Sequence, residues 1–318
     1  LNFPYYYSID KKIISIKRDV KEFSVYWLLT DFCNQACSYC PDFLHNGKYA
    51  KSTAPSNNDI DIFLSKLIDI SKKYTNKLNL TISGGEPTLH DYLPTIISKI
   101  KPYADIQFIT NGTRNVSWWK NLKQLPDYVT ISIHPEYYDN KKIRINDLAN
   151  FLSDNGVKVA FNLMGLPSKW DIVLSIIDDL DDKFKPLLIP KMIQNMEEFN
   201  RPLLFYTKEQ LNFIKTYPTK IIPKEIRPMI TYSDGTKTAL PNPNILMANN
   251  QHHFKGWKCS AGVDSISVHP DGSVKAGICG SYILGNMTNF NLNEEYIECP
   301  RPSCTCPGDI NLDKYEMS

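Results

Sequence analysis

The sequence predicts an α/β fold of parallel strands with crossover helices, followed by a small cysteine-rich β-hairpin domain. Three observations carry this. Strand-like apolar runs alternate with amphipathic helical stretches between residues 25 and 217. The eight cysteines fall into two clusters, one early and one late. The late cluster surrounds a segment that reads as two short strands about a Pro-Asp-Gly turn.

Taken in order, residues 1–24 form an N-terminal extension without a recognisable motif. Strands are expected at "SVYWLLT" (24–30), "LNLTIS" (78–83), "IQFIT" (106–110), "YVTISI" (128–133), "VKVAFNL" (157–163) and "PLLIPKM" (186–192). Most are apolar or β-branched throughout, as strands covered on both faces must be. Helices fill the gaps. "NNDIDIFLSKLIDISKK" places Ile60, Phe63, Leu64, Leu67 and Ile68 on one face. Asn146 suits an N-cap for a helix carrying Leu148, Phe151 and Leu152, which Gly156 can end. Ser168 suits the N-cap of a helix presenting Trp170, Val173, Leu174, Ile177 and Leu180, and Thr207 with Gln210 forms a capping box. Six strand–helix units call for right-handed crossovers; a partial (β/α) barrel and a doubly wound open sheet both satisfy the pattern. Residues 25–217 make this domain. Residues 218–256, rich in Pro and Asn, read as an irregular connector with a short hairpin at Asp234-Gly235, and 257–318 form the cysteine-rich end.

A length of 318 residues suggests about two domains at ~150 residues each. The formal net charge of +2 gives no bulk attraction to nucleic acid or anionic membrane. Lys141, Lys142 and Arg144 read as a solvated face. Neither a membrane-spanning apolar run nor a secretory signal pattern is present. The chain begins with Leu1 rather than Met, as a trimmed chain would. Clustered thiols in a chain of this size point to metal sites in a reducing cytoplasm rather than to a disulfide framework.

"TDFCNQACSYC" places Cys33, Cys37 and Cys40 directly after the first predicted barrel strand. Ligand sites in such folds form at the carboxyl ends of strands. Three thiolates hold an iron–sulfur cube while leaving one iron open, whereas a structural zinc site closes with four ligands. "SGGEPTL" (83–89) ends the second strand. Its glycines permit close backbone approach, and Glu86 offers a counter-charge to an ammonium.

The Cys-x3-Cys-x2-Cys loop, with aromatic Tyr39 before the last cysteine, resembles the hallmark of the radical S-adenosylmethionine (SAM) enzyme superfamily. The Gly-Gly-Glu-Pro segment at the end of the second strand is similar to the family segment that contacts the cofactor's amino group. The resemblance implies a partial (β/α)6 TIM-like barrel and a 4Fe–4S cluster bound to S-adenosylmethionine through Cys33, Cys37 and Cys40. It implies cofactor contacts from Tyr39, Gly84, Gly85, Glu86, Asn111 and Ser132. His134, Asn162 and Lys191 also lie at strand ends but read better as ordinary polar groups of loop and surface.

"GWKCSAG" (256–262), the hairpin "ISVHPDGSVKAGIC" (266–279) and the tail "CPRPSCTCPGD" resemble the twitch/SPASM extensions that carry auxiliary clusters. Cys259, Cys279, Cys299, Cys304 and Cys306 suffice for one auxiliary 4Fe–4S cluster with one thiol spare. The tail's Cys-x4-Cys-x-Cys departs from the longer SPASM pattern, so which four are ligands stays open. His269 and Trp257 read as core residues. The activity implied is reductive cleavage of S-adenosylmethionine to a 5′-deoxyadenosyl radical that abstracts hydrogen. The expected reaction is the oxidation or modification of a small molecule. The alternatives are a peptide or protein substrate or, in another class, a non-catalytic metal-binding or electron-carrier protein. Residues 1–24 are too short for a leader-binding domain, which favours a small molecule or a separately recruited peptide. A flavodoxin or ferredoxin-type electron donor would serve as partner. No catalytic side chain is assigned.

Overall fold

The structure, a computed structural model, describes residues 11–19, 22–41, 44, 54–73, 78–138, 142–193, 204–220, 228–240 and 243–317. In chain order it contains β1 (Ile13–Lys17), β2 (Ser24–Thr30), α1 (Asn57–Ser71), β3 (Leu78–Gly84), α2 (Leu93–Ile100), β4 (Ala104–Thr110), α3 (Val116–Lys120), β5 (Tyr128–Ile133), α4 (Lys142–Asp154), β6 (Lys158–Met164), α5 (Trp170–Asp179), β7 (Leu188–Lys191) and α6 (Lys208–Thr216). Then come β8 (Met229–Tyr232), β9 (Lys237–Ala239), α7 (Pro243–Ala248), β10 (Lys258–Cys259), β11 (Ser265–Val268), β12 (Ser273–Ala276), β13 (Ile283–Asn286), β14 (Asn289–Phe290), β15 (Ile297–Glu298), α8 (Pro307–Ile310) and β16 (Lys314–Tyr315).

Strands β2 to β7 lie side by side in sequential order, each parallel to the next. A doubly wound sheet would reverse its order at a switch point. Sequential order without reversal makes this the partial barrel. Its outward layer is apolar: Val25, Trp27, Leu80, Ile82, Ile106, Phe108, Val129, Ile131, Phe161 and Leu188 join one core with Ile60, Phe63, Leu64 and Leu67 of α1. The side chains between them along each strand face the barrel interior.

The hairpin β11–β12 does not stand apart as a small domain. β11 pairs parallel with β2, Ser265 opposite Ser24 through Val268 opposite Trp27, and β12, β13 and β14 continue a ten-stranded sheet. The outer edge of β2 would otherwise leave backbone donors and acceptors unpaired. A second sheet has the order β15-β10-β16-β1-β8-β9. The expected extension thus supplies a strand, β1, between the C-terminal β16 and the β8–β9 hairpin. That hairpin does turn at Asp234-Gly235, with Gly235 at φ 82°. The segment expected as a connector thus contains β8, β9 and α7 where described. Arg18 fastens the two ends of the chain, its Nη2 2.8 Å from Asp264 and its Nε 3.4 Å from Asp313.

The capping box at Thr207 and Gln210 forms. Ser168 is not a cap: Pro167 opens a short 3-10 turn through Lys169, so α5 starts later without a side-chain cap, and Leu174 is 41% exposed. Asn146 lies inside α4. It donates to the Asp179 carbonyl and accepts from Asp181 N, clamping the end of α5. Lys141 lies outside the described residues.

Candidate active site at the barrel mouth

The cysteine loop leaves β2 and is stitched at once to the end of β3. Gly85 N donates to Thr30 O (2.7 Å) and Glu86 N to Phe32 O (2.8 Å). A Cβ on Gly84 would overlap the Thr30 carbonyl, and one on Gly85 the Phe32 and Leu44 carbonyls. Gly84 also sits at φ 125°. The glycines are thus required by backbone packing against the cysteine loop, a reason additional to the expected approach of a ligand.

Glu86 turns inward and is fully buried. Its Oε1 accepts from Thr88 N (3.0 Å), Thr88 Oγ1 (2.5 Å) and Thr110 Oγ1 (2.8 Å), and its Oε2 from Asn111 N (2.7 Å). Three donors crowd Oε1 and one reaches Oε2, so of about four acceptor sites on a carboxylate one on Oε2 is not used by these contacts. Burial pushes the carboxyl up while these donors oppose the shift. Glu86 thus joins the tips of β3 and β4.

The three thiols lie along this loop, Cys37 buried and Cys33 and Cys40 half-buried. Cys33 Sγ receives Gln35 N at 3.4 Å and Asn111 Nδ2 at 3.7 Å. Asn111 also reaches Asn34 (2.9 Å), so it supports the thiol loop directly. Burial pushes the Cys37 thiol up to about 12, reinforced by charge on Cys40, Glu136 and Cys33 and opposed by a hydrogen bond from Tyr39.

The turn after β5 grips the same loop. Tyr137 Oη accepts from Ala36 N (2.9 Å) and Glu136 Oε2 from Ser38 N (2.8 Å). His134 Nδ1 meets the Tyr39 hydroxyl at 2.7 Å and Cys37 Sγ at 3.4 Å. Sequence reasoning undervalued His134 and missed Glu136 and Tyr137. The signal available was the run "HPEYY" directly after a strand end facing the thiols.

Below the mouth the barrel interior is polar. Thr81 contacts Gln107 (3.4 Å), and Gln107 donates to Thr130 (2.8 Å). Asn162 Nδ2 meets Ser132 Oγ at 3.5 Å, its neighbour in register. Ser132 therefore faces the interior beside Asn162. Tyr26 of β2 hydrogen-bonds Ser83. Lys191 of β7 faces inward, and among the described residues no carboxylate pairs with it. Burial pushes its ammonium down to about 8, opposed by charge on Cys306. Cys306 lies close enough for its charge to act on both Lys191 of β7 and Tyr26 of β2. A broad depression lined by Lys101, Asp127, Tyr128, Phe151 and Lys158 lies at the amino ends of the strands, away from the thiols.

The late thiols lie close enough for their charges to act on one another. Cys259 feels charge on Cys299, Cys304 on Cys306 and Cys259, and Cys279 on Cys259. Their anchors were not foreseen. Buried Asp309 accepts from Ile278 N (2.8 Å) and Cys279 N (2.5 Å). Buried Lys314 donates to the carbonyls of Asp309, Ile310 and Leu312 at 2.5, 3.0 and 3.0 Å. Trp257 and Phe254 pack in this second core, and His269 contacts Ser267.

Residues 27–180 match the family model described as the Radical SAM superfamily. The chain carries a radical SAM domain. Over 136 residues it is 34% identical to a probable GTP 3′,8-cyclase of Methanococcus aeolicus, covering 40% of this chain and 42% of that protein. It is 22% identical over 170 residues to a 7-carboxy-7-deazaguanine synthase of Clostridium acetobutylicum, covering 53% and 63%. The matches thus span about half the length of these curated relatives. Among solved structures, SuiB of Streptococcus suis bound to S-adenosylmethionine aligns with TM-score 0.54 at 14% identity, over 87% of this chain and 63% of that one. AnSMEcpe with bound AdoMet aligns with TM-score 0.51 at 14% identity, over 84% and 78%. Both share the fold. No described helix is long and apolar enough to cross a membrane.

The radical SAM family implies a SAM-binding 4Fe–4S cluster, and the donor chemistry at the mouth fits one. Three thiols share one loop, and N–H groups of Gln35 and Asn111 already point at a sulfur that becomes an acceptor when deprotonated. Among the described residues no three His, Cys, Asp or Glu side chains group as a single-ion site. A cube of four irons needs its thiolates set wider apart than one ion does.

Proposed function

We propose that the chain is a radical SAM enzyme that abstracts hydrogen from a polar small molecule and carries out a net two-electron oxidation. Cys33, Cys37 and Cys40 would hold the 4Fe–4S cluster, and the backbone of Gly84 and Gly85 would border S-adenosylmethionine with Tyr39, Asn111 and Ser132 nearby. When bound, the cluster supplies the one electron that splits S-adenosylmethionine into methionine and a 5′-deoxyadenosyl radical. That radical takes a hydrogen atom, leaving 5′-deoxyadenosine and a substrate radical. The substrate radical would then lose a proton to solvent and its second electron to an auxiliary 4Fe–4S cluster, which four of Cys259, Cys279, Cys299, Cys304 and Cys306 would hold. A flavodoxin or ferredoxin-type donor in the cytoplasm would reduce the first cluster.

The observation that carries this reading is the double backbone stitch between the cysteine loop and the Gly-Gly-Glu segment, Gly85 N to Thr30 O and Glu86 N to Phe32 O. It holds three thiols and the end of β3 at one mouth. The polar interior, with Gln107, Thr130, Ser132, Asn162 and an ammonium at Lys191, supports a hydrogen-bonding substrate bearing a negative group. Equilibrium binding of S-adenosylmethionine tests the site. Anaerobically reconstituted protein should bind it, and the Cys33/Cys37/Cys40→Ala protein should lose at least tenfold in affinity. Equal affinity in the two proteins would refute the assignment.

A further inference from the structure

The turn after β5 reaches one candidate ligand sulfur through a single ring nitrogen. His134 Nδ1 lies 2.7 Å from the Tyr39 hydroxyl and 3.4 Å from Cys37 Sγ. The two rings stack at 16° with centroids 6.0 Å apart. The Tyr39 hydroxyl also hydrogen-bonds the Cys37 sulfur. A nitrogen, a hydroxyl and a sulfur therefore compete for two protons.

A thiolate has no proton to give and can only accept. With the imidazole proton on Nδ1, that N–H faces both the sulfur and the tyrosine oxygen. The Tyr39 O–H is then released toward the sulfur, which gains that donor and the longer arm of the shared N–H. With the proton on Nε2, bare Nδ1 claims the Tyr39 O–H, and the sulfur gains neither donor. No change of net charge separates the two tautomers. Hydrogen bonds to ligand sulfurs are a principal lever on cluster potential, because they stabilise the extra negative charge of the reduced state.

We propose that His134 is a positioning residue that sets the reduction potential of the cluster held by Cys33, Cys37 and Cys40, by holding its proton on Nδ1 and so directing the Tyr39 O–H, with the longer arm of its own N–H, at the Cys37 sulfur. The same contact fixes the ring of Tyr39. Glu136 and Tyr137 support it from the same turn by holding Ser38 N and Ala36 N. This inference rests on the cluster assignment above, and its test separates the two.

The test is a redox titration of the reconstituted full chain, without S-adenosylmethionine, followed by the electron paramagnetic resonance signal of the reduced cluster, with iron and sulfide quantified. His134→Phe should keep its iron, and its equilibrium constant for reduction should fall about tenfold, a potential about 59 mV more negative for a one-electron couple. His134→Asn, whose amide N–H can stand near the Nδ1 position, should recover part of the shift. Tyr39→Phe should move in the same direction as His134→Phe. A His134→Phe protein with full iron and the wild-type potential overturns the inference and leaves the cluster reading intact. If His134→Phe loses its iron, an unshifted Tyr39→Phe protein overturns it instead. Wild-type protein that assembles no 4Fe–4S cluster overturns both.

Discussion

Glu86 shows how a residue's type can be legible while its protein partners are not. An acidic side chain after two glycines at a strand end suggests a counter-ion for a ligand. In the fold its two oxygens are taken by Thr88, Thr110 and the Asn111 backbone. Glu86→Gln would replace one acceptor oxygen with an NH2 group facing donors at full burial. The expected loss is about 1–3 kcal/mol for the buried donor left unsatisfied, read from the urea midpoint of the whole chain. A midpoint equal to wild type would show that the carboxylate does not hold β3 to β4. His134 errs in the other direction. A lone histidine after a strand reads as an ordinary loop residue, and only the approach of the turn after β5 to the thiol loop reveals its partners.

At the scale of elements, the barrel strands were legible because burial on both faces leaves continuous apolar or β-branched runs. β2 and β5 coincide with their expected bounds, Ser24–Thr30 and Tyr128–Ile133. Helix starts were less legible because several polar residues compete for each cap. Ser168 lost to the turn opened by Pro167, while Ser56 formed a capping box with Asp59 that the pattern had not singled out. The join between the cysteine loop and β3 depends on Gly85, where a side chain would overlap the Phe32 carbonyl. Gly85→Ala should cost about 1–3 kcal/mol through forced backbone movement. It should also weaken S-adenosylmethionine binding by displacing the loop. The measurement is denaturation alongside equilibrium binding, and a protein unchanged in both would show that the two segments can part without consequence.

At the scale of the whole molecule, the barrel's order was readable from repeated strand–helix units, but the pairing of distant segments was not. Nothing in "IISIK" indicates that β1 lies between β16 and β8, because short antiparallel strands carry no mark of their partners. A further pairing, of β10 with β16, sets Cys259, one of the late thiols, opposite Lys314. If these hold an auxiliary cluster, the Cys33/Cys37/Cys40→Ala protein should retain about four irons with sulfide and a reducible signal. Zinc, or no metal, would leave the proposed oxidation without its electron acceptor. The central claim is that the barrel mouth cleaves S-adenosylmethionine, and its most direct test is the yield of 5′-deoxyadenosine from reduced, reconstituted protein given the cofactor. The account predicts 5′-deoxyadenosine from the wild-type chain and none above background from the Cys33/Cys37/Cys40→Ala chain; equal yields from both, or none from a wild-type chain with a full cluster, would contradict it.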